Sequence, residues 1–310
     1  MSPTYQTEGI VLKSMAMGEA DRLITLLSPD RGLIKAIASG ARRPRSKLGG
    51  RTGLFVVSQI MVNQGRSLDK LLQADVKLSF PKLSQALTKL TAAQYWAELV
   101  LLQSQSEHSN QALYDHFLSQ LQLLETCPSD SILMLMLQGV SQLLFFAGIS
   151  PELEHCCRSQ TPIEEVMFTS GQGVYFSCAD GGTVMGEILI PRSRPVRNAE
   201  FNSRSIEANK TDYTEISSGG SQPRFLARES VASQRYRLSL SQWNILNAIS
   251  PAMTNGEQTL QNTATLGQRN WLYVEKVLRS YTQHHFERAI QSAKLVDSVF
   301  AHPSPLEATP

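Results

Sequence analysis

Seven basic residues and no acidic one stand between Arg31 and Arg51: Arg31, Lys35, Arg42, Arg43, Arg45, Lys47 and Arg51. Five of them crowd into Ala41-Arg42-Arg43-Pro44-Arg45-Ser46-Lys47-Leu48-Gly49-Gly50-Arg51. The whole chain of 310 residues carries a formal charge of +2, so taking away these seven leaves −5 for the rest. A local cationic segment on a near-neutral body is the layout of a polyanion-binding site. The competing reading is a solvated loop whose charges only keep the protein dispersed.

No catalytic constellation accompanies it. The chain holds no Gly-rich phosphate loop ending in Lys-Ser/Thr, no Gly-x-Ser-x-Gly elbow and no His-Glu-x-x-His. Gly171-Gln172-Gly173 and Gly181-Gly182 read as turn material. His284 and His285 are adjacent, and neighbours on a helix point about 100° apart, so they make a poor metal pair. A nuclease would need clustered carboxylates for a divalent metal, and residues 31–68 contain none.

Four cysteines, Cys127, Cys156, Cys157 and Cys178, are too few to staple a chain of this length, and reduced thiols are the simplest account. Structural zinc calls for two Cys-x-x-Cys pairs. Three places after Cys156 stands Ser159, and three places after Cys178 stands Gly181. Cys156 and Cys178 therefore read as remnant positions of a zinc knuckle with half its ligands missing. His155 and Cys157 are strained substitutes, so no cofactor is expected. Leu153, Ile163, Val166, Phe168, Val174, Tyr175 and Phe176 would hold the module without metal.

The elements that must position the cationic segment are short strands. Apolar runs at 9–12, 22–27, 33–39, 54–62 and 68–78, separated by Gly- and Pro-bearing turns, predict a five-stranded barrel over residues 1–80. The cationic loop is its one long interruption, and Gly40, Gly49, Gly50 and Gly53 predict that it is mobile. From Pro81 the hydrophobic period becomes helical, with one helix through Leu83, Leu87, Leu90 and Trp96, a second over 112–125 and an apolar third from about Ser131 to Ala147. The third is too short and too interrupted by polar residues to read as a membrane span.

The fold class expected is α+β and multidomain: an N-terminal five-stranded OB-type β-barrel, then an α-helical domain with a degenerate zinc-ribbon-like knuckle. The segments are the barrel (1–80), the first part of the helical domain (81–150), the knuckle-like module with its incomplete ligand set (151–195), a polar linker or insertion, disordered in character (196–235), the second helical part (236–302) and a frayed tail (303–310). The first residues show neither an apolar signal core nor an Arg-rich presequence, which points to the cytoplasm.

A small barrel with a basic loop is how oligonucleotide-binding folds hold a sugar–phosphate backbone. Lys13, Lys35 and Arg66 extend the patch if their strands face the same way. Tyr5, Phe55 and Phe80 are the only aromatics in the first 80 residues. Binding should therefore be led by phosphate contacts, each steepening the salt dependence by about 0.7 on a single strand.

The order of blocks resembles the RecO family of bacterial recombination-repair mediators. The resemblance rests on Gly9-Ile10-Val11-Leu12-Lys13, Gly18-Glu19-Ala20-Asp21-Arg22-Leu23, Leu26 to Leu33, Ala38-Ser39-Gly40-Ala41-Arg42-Arg43-Pro44-Arg45-Ser46, Ala97-Glu98-Leu99-Val100 and Phe146 to Leu153. It implies a non-enzymatic DNA-binding mediator, nucleoid-associated, that binds single- and double-stranded DNA and anneals complementary strands. It also implies contact with RecR and with the tail of the single-stranded-DNA-binding protein, and through them with RecF and RecA loading. The family's knuckle often bears zinc, and here the replaced cysteines depart from it.

On this reading Arg42, Arg43, Arg45, Lys47 and Arg51 hold phosphates, joined by Lys35 and Arg22. Arg22 has a second reading as the partner of Asp21 or Glu19. Lys276, Arg279 and Lys294 are candidates for a partner-facing patch. The rival from another class is a protein-interaction scaffold whose basic loop meets an acidic partner and not DNA.

Overall fold

The computed structural model describes residues 3–106, 108–170, 173–186, 235–251 and 266–300. The polar segment read at 196–235 lies outside them save for Arg235, as does the tail. Five strands, β1 (Thr4–Met17), β2 (Asp21–Ser28), β3 (Gly32–Ala38), β4 (Val57–Asn63) and β5 (Asp69–Leu78), close into a barrel of order β1-β2-β3-β5-β4. All neighbours are antiparallel except β3 and β5. Alternation sets the faces. In β3, Ile34, Ala36 and Ala38 fill the barrel with Ile24 and Leu26 of β2 and Val11 of β1. Leu33, with Ile10, Leu12 and Leu27, faces outward and joins the core of the helical region.

The helical region comprises α1 (Pro81–Gln85), α2 (Leu87–Gln103), α3 (Gln111–Thr126) and α4 (Ile132–Phe146), then α5 (Leu240–Ile249), α6 (Gln268–Phe286) and α7 (Ala293–Phe300). The helix expected from Pro81 onward is broken at Ala86, which is extended (φ −121, ψ 121) and starts α2 afresh. The Asn110 side chain caps α3 by accepting the Leu113 N–H at 2.9 Å. Helix α4 packs on α2, where Gly139 lets Trp96 lie against it and donate to the Met136 carbonyl at 2.8 Å. The window Ser129–Phe146 is long and apolar enough to cross a membrane, and half of it is buried in this core. Between the helical parts, β6 (Val174–Ser177) and β7 (Gly182–Met185) form a hairpin to which β8 (Arg235–Arg237) adds a third strand.

Barrel and helices meet at a tight joint. Gly32, at φ +64, backs onto the chain between α2 and α3, and Leu33 N–H donates to the Gln105 carbonyl at 3.2 Å. A Cβ at Gly32 would stand 2.4 Å from the carbonyl oxygens of both Gln105 and His108. Beside it, the Tyr114 hydroxyl donates to Glu8 at 2.7 Å, and Lys77 pairs with the same carboxylate. Gly32→Ala is expected to destabilise the chain by about 2–4 kcal/mol, combining left-handed strain with overpacking against backbone. Urea unfolding of the variant checks this, and an unchanged midpoint would contradict a tight joint.

Candidate nucleic-acid interface

The segment from Ser39 to Val56 is a chain of turns pinned to one end of the barrel. Gly40, at φ +67, donates its N–H to Asp21 Oδ1 at 2.7 Å. Arg42 N–H reaches the Ala20 carbonyl at 2.8 Å, and Arg43, Ser46 and Gly49 N–H groups bond three residues back at 3.0, 3.1 and 3.2 Å. A single 3₁₀ turn, Gly50–Thr52, follows, with the Thr52 hydroxyl on the Leu48 carbonyl at 2.8 Å. Ala41 is buried in the barrel core and Leu48 packs against it. Thr52 is fully buried. The glycines predicted mobility; these small pegs and bonds hold the loop in one shape instead and turn its cations outward.

Arg42, Arg43, Arg45 and Lys47 are all exposed. Arg42 spends one N–H on the Gly18 carbonyl at 2.7 Å. A guanidinium carries five donors, so four remain. Arg45 holds a left-handed backbone, φ +62, directly after Pro44. Arg51 differs: it donates to Asp75 at 3.1 Å and to the Ala74 carbonyl at 2.5 Å, and so braces the loop against β5 with its charge met. Arg22 pairs with neither Asp21 nor Glu19. It donates to the Gly49 carbonyl at 3.3 Å and anchors the far side of the loop.

Lys35 is exposed on the outer face of the sheet. Thr25 stands opposite both Lys13 and Lys35 in register, so the two lysines flank it in one cross-strand row. Arg66 stands in the turn that leads into β5. Ala38, next to the loop, registers with Leu71, and Arg66 lies further back along that strand's approach. Arg31 is engaged as well, its guanidinium 3.9 Å from the Tyr5 ring centroid. Phe55 is buried, Tyr5 lies under Arg31 and Phe80 packs on the helical core, so none of the three aromatics offers a free stacking face. Sequence reading overlooked the anchors Gly18 and Asp21, although they sit in the Gly-Glu-Ala-Asp-Arg block it singled out.

The knuckle does not fit zinc. Cys156 lies in a cluster with Ile163, Val174, Tyr175 and Val184, whereas Cys178 belongs to the helical core. Cys178 lies beside Tyr236 and Tyr281. Met185 N–H donates to Cys156 Sγ at 3.3 Å. Burial pushes the Cys156 thiol up, but bonds from Ser159, Met185 and Arg158 outweigh it and bring its pKa down to about 7. Burial raises the Cys178 thiol to about 11. Among the described residues no group of three or more His, Cys, Asp or Glu could hold a metal. The two turns are instead tied by Arg158, which meets Asp180 with bonds of 3.0 and 2.9 Å, Asp180 also accepting from Ser177 at 2.5 Å. Metal analysis of the purified chain is expected to find far less than one zinc per molecule, with thermal unfolding unmoved by a chelator. A stoichiometric zinc lost together with stability would contradict this.

The family model described as Recombination protein O N terminal matches residues 1–80, and that described as Recombination protein O C terminal matches residues 84–191. A relative called DNA repair protein RecO, from Cyanothece sp., is 38% identical over 308 residues, covering 98% of this chain and 99% of its own. Its namesake from Acaryochloris marina is 37% identical over 312 residues, 100% of each chain. The one from Nostoc punctiforme is 34% identical over 304 residues, 97% of this chain and 98% of its own. The likeness therefore continues past residue 191 to the C-terminal helices.

Proposed function

The chain belongs to the RecO family of DNA repair proteins, and from that premise we propose that it is a recombination mediator that holds single- and double-stranded DNA on its barrel and anneals complementary strands. The observation that carries this reading is the loop itself: Arg42, Arg43, Arg45 and Lys47 project into solvent from a pinned scaffold, and among the described residues none of them is matched to a carboxylate. Loop cations and the Lys13–Lys35 row hold phosphates. Two strands laid on such a surface repel each other less, so pairing proceeds with no bond broken or made by the protein. Acting with RecR, and through it RecF, the protein would then help place RecA on strands covered by the single-stranded-DNA-binding protein, whose tail it would contact. The setting is the cytoplasm, at the nucleoid.

Arg51 and Arg22 enter as struts that set the loop, and Arg42, Arg43, Arg45, Lys47 and Lys35 as the phosphate contacts. Asp21 and Asp75 are both engaged in holding the loop.

The test is annealing of complementary oligonucleotides by the pure full-length chain at low salt with Mg²⁺ present. Faster pairing with both strands recovered intact is the expected result. No binding at low salt would favour the protein scaffold, and cleaved strands would reveal an enzyme.

A further inference from the structure

Strand β1 outruns its neighbour. Its register with β4 ends at Ile10, but its register with β2 continues to Met17. At Val11 the loop takes over that edge, with Val11 N–H on the Val56 carbonyl at 3.1 Å and Phe55 N–H on the Val11 carbonyl at 2.8 Å. The chain then turns away at Gly53. A cleft of about 330 Å³ opens between the end of β1 and the loop, lined by Met15, Ala16, Arg22, Arg42, Gly53 and Leu54. Met15 is 49% exposed and Leu54 39%, so both apolar side chains are open to the cleft's mouth.

Resting on the DNA-binding reading above, we propose that this cleft is a nucleobase slot: it takes one unstacked base of a single strand whose phosphates lie on the neighbouring Arg42–Lys47 loop. Each side of the slot suits one part of a base. The thioether of Met15 and the Leu54 side chain offer soft apolar contact to a flat ring. Arg42 and Arg22 each spend one donor on a backbone carbonyl, at Gly18 and Gly49, and keep others for the carbonyl oxygens and ring nitrogens on a base edge. Arg42 belongs to both the slot and the phosphate row, so a base entering here remains attached to a backbone the loop already holds. The barrel's aromatics cannot do this work, since Phe55 is buried and Tyr5 is covered by Arg31. A duplex keeps its bases stacked and paired, so the slot serves single strands alone.

The experiment compares the full chain on three ligands at one salt concentration: an oligothymidylate, an abasic strand of equal length and charge, and a duplex. The native chain is expected to bind oligothymidylate roughly tenfold more tightly than the abasic strand. The double variant Met15→Ala, Leu54→Ala should lose that difference while matching the native chain on the abasic strand and the duplex. Equal native binding of oligothymidylate and abasic strand would overturn the slot and leave DNA binding standing. A double variant weakened alike on all three ligands would also overturn it, because the two residues would then only be holding the loop. No binding to any of the three would remove the DNA-binding reading itself.

Discussion

Replacing Arg43, Arg45 and Lys47 together with alanine is expected to weaken single-strand binding about a hundredfold at 0.1 M salt and to lower the salt slope by about 2, three contacts at ~0.7 each. These three are the right set because their side chains are exposed and, among the described residues, carry no hydrogen bond or ion pair within the protein. Their loss removes charge and leaves the pegs Ala41, Leu48 and Thr52 in place. Thermal unfolding should therefore stay within about 0.5 kcal/mol of the parent. Arg42 is a poorer choice for this purpose, since it also fastens the loop to Gly18. Fluorescence anisotropy across a salt series checks the prediction, and a triple variant that keeps the parental slope would show that the phosphates lie elsewhere.

The second large effect lies in the helical region. Arg279 donates to Glu275 at 2.8 and 2.5 Å and to Asp297 at 2.9 and 2.7 Å, tying α6 to α7. The Glu275 side chain is only 2% exposed. Arg279→Ala strands that carboxylate in the core, and about 3–5 kcal/mol of stability should be lost. The pH dependence follows from the shifts. Burial raises the Glu275 carboxyl despite Arg279, so its neutral form favours folding in acid and that contribution fades as pH rises through its raised value. Hydrogen bonding to Arg279 holds Asp297 low, so its contribution is present above the ordinary carboxylate range and fades as pH falls through the lowered value. Without Arg279 the Glu275 carboxyl rises further. The deficit in melting temperature should accordingly be largest near pH 7.5 and shrink toward pH 5.5. A deficit flat with pH would contradict the network. Replacing both Glu275 and Arg279 with methionine should be far milder than the single change, since no buried charge is left unpaired and Asp297 is exposed.

This network also shows where sequence reasoning stops. Arg279 reads from the sequence as a partner-facing cation, yet it is consumed by two carboxylates brought in by folding, one of them 18 residues away. Lys276 and Lys294, by contrast, are exposed. The barrel is legible because short apolar runs bounded by Gly- and Pro-bearing turns mark its strands, and the cationic loop is legible because charge clusters along the chain. The end of β1 is not, since Lys13-Ser14-Met15-Ala16-Met17 has no apolar run to mark a strand. Phe55, in the expected fourth strand, sits at φ +62 and belongs to the loop, which no local pattern reveals. Glycine spacing suggested a mobile loop because single small residues such as Ala41 and Thr52 give no sign that they are buried. Spacing equated Cys156 with Cys178, but the group folding brings to Cys156 is the Met185 amide. Strand β8 was missed because its partner β6 lies far back in the chain.

The most direct measurement is the salt dependence of the native chain's affinity for a single strand. Four exposed loop cations at ~0.7 each predict that log K falls against log salt with a slope of about −3. A flat line, or no measurable binding at the lowest salt, would contradict the account at its root.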